Sequence, residues 1–154
     1  MPSRRASIAL TDEEQKQFMD DSWTLQVASI GPNGYPHLVA MWYVIMDGAI
    51  EFTTFGKSQK IVNLERDPKI TVMLESGKAY TELKGLVIEG EAEIIRDVNH
   101  TAKVMSHVGA KYNGLPIPTE TPEQSLKAAA KRVTVRIKPV DIYSWDHGKL
   151  GGVY

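Results

Sequence analysis

An antiparallel β-barrel carrying a few short helices, a mainly β fold, is what this 154-residue sequence predicts. Three observations lead there. Apolar residues alternate at period two in successive segments between Thr24 and Lys138, the spacing of half-buried strands. Glycine-bearing turn signals, Gly31-Pro32-Asn33-Gly34 and Asp47-Gly48, separate the early segments. Helical spacing is confined to short stretches. Five or six meandering strands of this kind describe a closed or split antiparallel barrel.

The elements follow in order. Thr11-Asp12-Glu13-Glu14 is a capping box that opens a short helix through Asp20. Strands are expected over Thr24–Ile30, His37–Met46 and Ala49–Thr54. In the second, Leu38, Ala40, Trp42, Val44 and Met46 share one face and Val39, Met41, Tyr43 and Ile45 the other. Both faces are apolar, so the one turned away from the interior needs a helix, a cofactor or a second subunit, and a homodimer is the simplest answer. Ile61 and Leu64 suit a two-turn helix stopped by Asp67-Pro68. Lys69–Leu74 is a further strand. Leu86, Ile88, Gly90, Ala92 and Ile94 alternate against Val87, Glu89, Glu91 and Glu93 in a long strand with one solvent face, which Gly85 and Gly90 allow to bend. Val98, Ala102, Met105 and Val108 fall at helical spacing, and a second capping box, Thr121-Pro122-Glu123-Gln124, opens a helix through Ala130. Arg132–Lys138 is the last strand, and the tail from Trp145 reads as a loop.

The length suits one domain over residues 1–154, with no linker or repeat. The absence of cysteine rules out a disulfide frame and thiolate chemistry. No apolar run reaches a membrane span, and the Met1–Arg5 start has no signal-like segment behind it, so the expectation is a cytoplasmic protein without membrane contact. Residues 1–95 carry nine basic and fourteen acidic side chains, net −5; residues 96–154 carry nine and five, net +4. A nucleic-acid binder normally shows a stronger basic bias, so nucleic acid is not an expected partner.

The most informative stretch is Glu51-Phe52-Thr53-Thr54-Phe55-Gly56-Lys57-Ser58-Gln59-Lys60. A strand, a glycine turn with two lysines and small hydroxyls, and a helix start point N–H groups and ammonium heads at one spot. That arrangement suits a phosphate. Solvated surface lysines are the bland alternative, and Met41, Trp42 and Tyr43 read more readily as core than as a cofactor wall. Glu89, Glu91 and Glu93 line one strand face about 7 Å apart, which is ordinary for a solvated face, and no metal site is expected. His100 and His107 stand two helical turns apart, too far for shared ligation.

Phe52-x-Thr54-x-x-x-Ser58-Gln59-Lys60-x-x-x-Leu64-x-x-Asp67-Pro68, behind a glycine-turn hairpin and ahead of an alternating strand, resembles the flavin/deazaflavin oxidoreductase superfamily. This is the split β-barrel group (FMN-binding split barrel) that includes the pyridoxamine-phosphate oxidases. The likeness runs from Leu10 to Ile95, with a weaker match at the tail. It implies a homodimer with the cofactor between subunits. Thr54, Ser58, Gln59 and Lys60 would hold the phosphate, with Lys57 as a further donor. The backbone of Val39, Ala40, Met41 and Trp42 would run beside the ring system. Lys78, Ala79, Tyr80 and Trp145 would approach from the partner chain.

Where the pyridoxamine-phosphate oxidases place an arginine on the FMN phosphate, this chain has Leu38, and lysine does not replace that bidentate partner. The Gly-Lys-Ser-Gln-Lys run and the ending Ser144-Trp145-Asp146 … Lys149-Leu150-Gly151-Gly152 resemble the branch that uses the deazaflavin coenzyme F-420. The resemblance then implies a reductase that transfers a hydride to an unsaturated small-molecule acceptor. The alternatives are an FMN-dependent oxidase or reductase and a haem- or flavin-binding barrel without turnover. No catalytic group is evident, and His147 is a possible proton donor only by position.

Overall fold

A computed structural model describes residues 3–152. Seven antiparallel strands form one curled sheet in the order β2-β1-β5-β6-β7-β4-β3: β1 (Leu25–Ile30), β2 (Pro36–Met41), β3 (Val44–Met46), β4 (Ala49–Phe55), β5 (Lys69–Ser76), β6 (Lys84–Ile95) and β7 (Arg132–Asp146). The sheet does not close, because β2 and β3 are its two free edges. This is a split barrel. Among the described residues five α-helices accompany it: α1 (Arg4–Ser7), α2 (Asp12–Asp21), α3 (Gln59–Arg66), α4 (Val98–Asn113) and α5 (Glu123–Ala129). None of the described helices is long and apolar enough to cross a membrane.

Local chemistry accounts for most boundaries. Thr11 and Glu14 form the expected capping box, their side chains bonding each other's backbone N–H at 3.2 and 2.8 Å. Asp47 and Gly48 take φ of 49° and 79°, both positive, the two-residue turn that matches strand twist. α3 would be marginal alone at eight residues. Burial of its Ile61 and Leu64 stabilises it by about 1.5–3 kcal/mol per side chain. Both join Leu25, Val27, Phe52, Val72, Leu86 and Val135 in the main core inside the curl.

Four boundaries depart from the sequence reading. The predicted strand His37–Met46 breaks at Trp42-Tyr43, where the chain leaves one edge of the sheet and joins the other. Tyr43 is fully buried there, its hydroxyl within hydrogen-bond distance of the Met19 and Ser22 carbonyls at 2.5 and 3.0 Å. The face shared in the sequence is therefore divided. Val44 and Met46 lie under Val104 of α4, whereas Leu38 and Trp42 are 64% and 57% exposed.

The last strand runs on to Asp146 and takes in Trp145, which the sequence placed in a loop. Pro139 is accommodated at an irregularity opposite Glu89-Gly90, so it does not end the pairing. A Cβ on Gly90 would stand 2.4 Å from the Lys138 carbonyl oxygen, so only glycine fits that crossing. Gly85 similarly leaves room for the Trp145 ring. α5 starts after Pro122 with no side-chain cap, so the second predicted capping box does not form. The strands number seven, and β3-β4 and β1-β2 lie at opposite edges, so the order is not a simple meander.

Candidate functional site

The turn from β4 into α3 gathers the polar groups singled out in the sequence. Ser58 is the N-cap of α3, but its side chain makes no capping hydrogen bond and turns to Thr54 instead, Oγ to Oγ1 at 3.4 Å. Lys60 Nζ donates to the same Thr54 oxygen at 2.8 Å. Thr54 itself is buried. Lys60 is half-buried, and desolvation holds its pKa below the ordinary lysine value. No carboxylate among the described residues lies within ion-pair distance of it. A partly desolvated ammonium whose protein partner is a neutral hydroxyl can accept an anion.

Gln59 and Lys57 stand beside this cluster with different roles. Gln59 Nε2 donates to Asn63 Oδ1 at 2.8 Å, and Asn63 Nδ2 donates to Ser29 Oγ at 3.1 Å, so Gln59 also supports the packing of α3 on β1. Lys57 is exposed and lines a groove of about 840 Å³ with Ser58, Arg96, Lys131 and Arg132. Among the described residues no acidic side chain lines that groove. The Arg132 guanidinium lies 4.1 Å from the centre of the Phe55 ring, and Arg96 pairs with Glu65 at 2.6 Å. Arg96, Lys131 and Arg132 escaped sequence reading because they come from the β6–α4 connection, the α5–β7 connection and the first residue of β7, far along the chain from the turn.

The remaining candidates fall elsewhere. Val39, Ala40, Met41 and Trp42 follow the free edge strand β2 and its exit, Val39 and Met41 partly buried against the core and Ala40 exposed. Trp42 stacks on Tyr112 at 4.3 Å between ring centres, with Trp23 edge-on to the same tyrosine. Strand register sets the distances. Phe55, Ile30 and Lys69 mark the α3 end of the sheet, whereas Gly85 opposite Trp145 and Ser76 opposite Lys84 mark the other. Lys78, Ala79, Tyr80 and Trp145 thus stand at the end away from α3, and one chain does not bring them to Lys60. Tyr80 lies against the His147 ring at 4.5 Å, and His147 Nδ1 is 2.8 Å from the Tyr80 carbonyl oxygen.

Leu38 projects from the face of β2 opposite to that of His37, its neighbour, which lies across from Ser29 and so on the α3 side. A side chain at position 38 therefore does not reach the α3 cluster of its own chain. His37 Nδ1 is buried without a hydrogen-bond partner among the described residues, on the side of the sheet where α3 packs.

A second polar cluster was missed by the sequence reading. Glu51 is fully buried and accepts from Arg136 Nη1 at 2.7 Å, and His100 Nε2 lies 2.6 Å from its other oxygen. It ties α4 to β4 and β7. Among the neighbouring carboxylates, Glu93 pairs with Lys138 at 2.9 Å, and Glu89 and Glu91 are exposed.

Comparison with known proteins agrees with this architecture. Residues 11–146 match the pyridoxamine 5'-phosphate oxidase family, and the chain belongs to that family. A conserved hypothetical protein from Mycobacterium tuberculosis is 40% identical and superposes with a TM-score of 0.90, covering 99% of this chain and 95% of its own. An F-420 reductase is 23% identical, with a TM-score of 0.63 over 82% of this chain and 94% of its own. The haem storage protein HutZ from Vibrio cholerae is 17% identical, with a TM-score of 0.66 over 87% and 94%. The last two likenesses are of fold alone. No curated protein matches the sequence.

Proposed function

We propose that this chain is a coenzyme F-420-dependent reductase that works as a homodimer. The observation that carries the reading is Lys60, a half-buried ammonium with no carboxylate partner among the described residues, set beside Ser58 and Thr54 at the start of α3. The donor set fits an anionic group of a bound coenzyme, with Lys60 and Ser58 as ligands and Thr54 orienting the ammonium. The groove beyond Lys57 carries Lys131, Arg132 and Arg96, which suits a cofactor with further negative charge past its phosphate. A compact dianionic FMN phosphate makes less use of such a groove.

Bound there, the deazaflavin supplies a hydride. The chain's share is to hold the phosphate, lay the ring system along the Val39–Trp42 edge of β2 and exclude water. In the homodimer, Lys78, Ala79, Tyr80 and Trp145 of a second copy would approach the ring; within one chain they lie at the end of the sheet away from the α3 cluster that would hold the phosphate. Leu38 and Val140, 64% and 74% exposed, give that copy an apolar face to cover.

The test is steady-state oxidation of reduced coenzyme F-420 with a panel of enones, quinones and tetrapyrroles, alongside titration with FMN. Turnover with F-420 and weaker binding of FMN are expected. A yellow protein as purified, with FMN bound tighter than F-420, overturns the deazaflavin assignment. Tight binding of either cofactor or of haem without turnover makes the protein a carrier.

A further inference from the structure

Lys111 carries an amine that the site above does not use. The last turns of α4 bring it to a cleft of about 210 Å³ shared with Asp20 of α2, Val44 and Ile45 of β3, His107 of α4, and Leu115 and Ile117 beyond α4. No carboxylate among the described residues stands within ion-pair distance of its Nζ. The amine is positioned instead by the Tyr43 carbonyl oxygen at 3.3 Å and by the Tyr43 ring, whose centre is 3.7 Å away. Tyr112 lies further off at 5.1 Å. The titratable groups around it are thus Asp20, His107, Tyr43 and Tyr112, and Asp20 is the charge that acts on it through space.

We propose that this cleft captures small neutral aldehydes as an imine on Lys111. The neutral amine nitrogen attacks the carbonyl carbon, a proton passes from that nitrogen to the former carbonyl oxygen, and the carbinolamine hydroxyl leaves as water with the second N–H proton to give the C=N bond. Nothing is oxidised or reduced, and the products are the imine and one water. His107 lines the same cleft and stands ready to relay that proton from the nitrogen to the oxygen; desolvation lowers its pKa, which favours the neutral imidazole able to accept it.

The surroundings select the ligand class. Val44, Ile45, Leu115 and Ile117 suit an aliphatic chain of a few carbons, and the volume admits little more. Asp20 on the wall opposes a carboxylate on the incoming carbonyl compound and favours the protonated imine once formed. Burial brings the Lys111 pKa down to about 8, so the reactive neutral amine is more abundant at pH 7 than on an ordinary lysine by roughly two orders of magnitude.

Trapping tests the proposal on the intact protein. The full chain is treated at pH 7 with limiting butanal, or with glyoxylate, plus sodium cyanoborohydride, and the alkylated lysines are mapped by peptide mass spectrometry. Lys111 should be labelled by butanal at least tenfold faster than the exposed Lys57 and Lys103, and at least tenfold faster by butanal than by glyoxylate. Asp20→Asn should narrow the second ratio. Labelling of Lys111 no faster than of Lys57 and Lys103 overturns the site. Equal labelling of Lys111 by glyoxylate and butanal overturns the ligand class.

Discussion

Thr54 Oγ1 is the neutral oxygen on which Lys60 rests, and Ser58 Oγ lies beside it with no helix-capping duty. Replacing Lys60 by alanine removes a charge-assisted hydrogen bond and should weaken coenzyme F-420 binding by about 1.5–3 kcal/mol, measured by fluorescence titration. An unchanged dissociation constant removes the lysine from the site. Lys111 makes a separate prediction through pH. Its folded pKa is depressed to about 8, so the unfolded chain binds more protons between pH 8 and the ordinary lysine value, and stability rises with pH in that window. Tyr43 and Tyr112, whose pKa values are raised by burial, act in the opposite sense but only above about pH 10. Urea unfolding of the wild type and Lys111→Met at pH 7.5 and 9.5 should show the wild type gaining on the variant. A constant difference contradicts the shift. At this scale the sequence made the β4–α3 turn legible, because glycine, lysine and hydroxyl residues are neighbours there. It hid Arg96, Lys131 and Arg132, which only the fold brings beside Lys57.

Between elements, a fully buried carboxylate, Glu51, is held by His100 from α4 and by Arg136 from β7. Glu51→Ala leaves the Arg136 guanidinium without its carboxylate and should cost about 3–5 kcal/mol of unfolding free energy. A loss below 1 kcal/mol would mean that α4 docks without this tie. Gly90→Ala drives a Cβ against the Lys138 carbonyl and should destabilise by about 1–3 kcal/mol in the same assay. Turn and cap chemistry made Thr11–Glu14, Asp47-Gly48 and the α3 start readable, since those signals are local. The break at Trp42-Tyr43 was not readable. Val44 continues the alternation of β2 without a gap, and what divides them is the burial of Tyr43 beneath α2, a tertiary effect. Glu51 was hidden for a related reason: a lone acid in a strand reads as solvated, and its partners come from 49 and 85 positions away.

For the whole molecule, the split between the free edges β2 and β3 and the exposed Leu38 and Val140 invite a second copy. Leu38→Glu combined with Val140→Glu should give a monomer in sedimentation velocity and lower coenzyme F-420 affinity at least tenfold. A monomer that binds as tightly as the wild type excludes a contribution from the partner chain. Lys60 with its hydroxyl neighbours is the point on which the cofactor assignment turns, and a crystal structure with coenzyme F-420 bound tests it most directly. The expected result is a phosphate oxygen within hydrogen-bond reach of Lys60 Nζ and Ser58. A phosphate seated elsewhere, with Lys60 still bonded to Thr54 alone, would contradict the account.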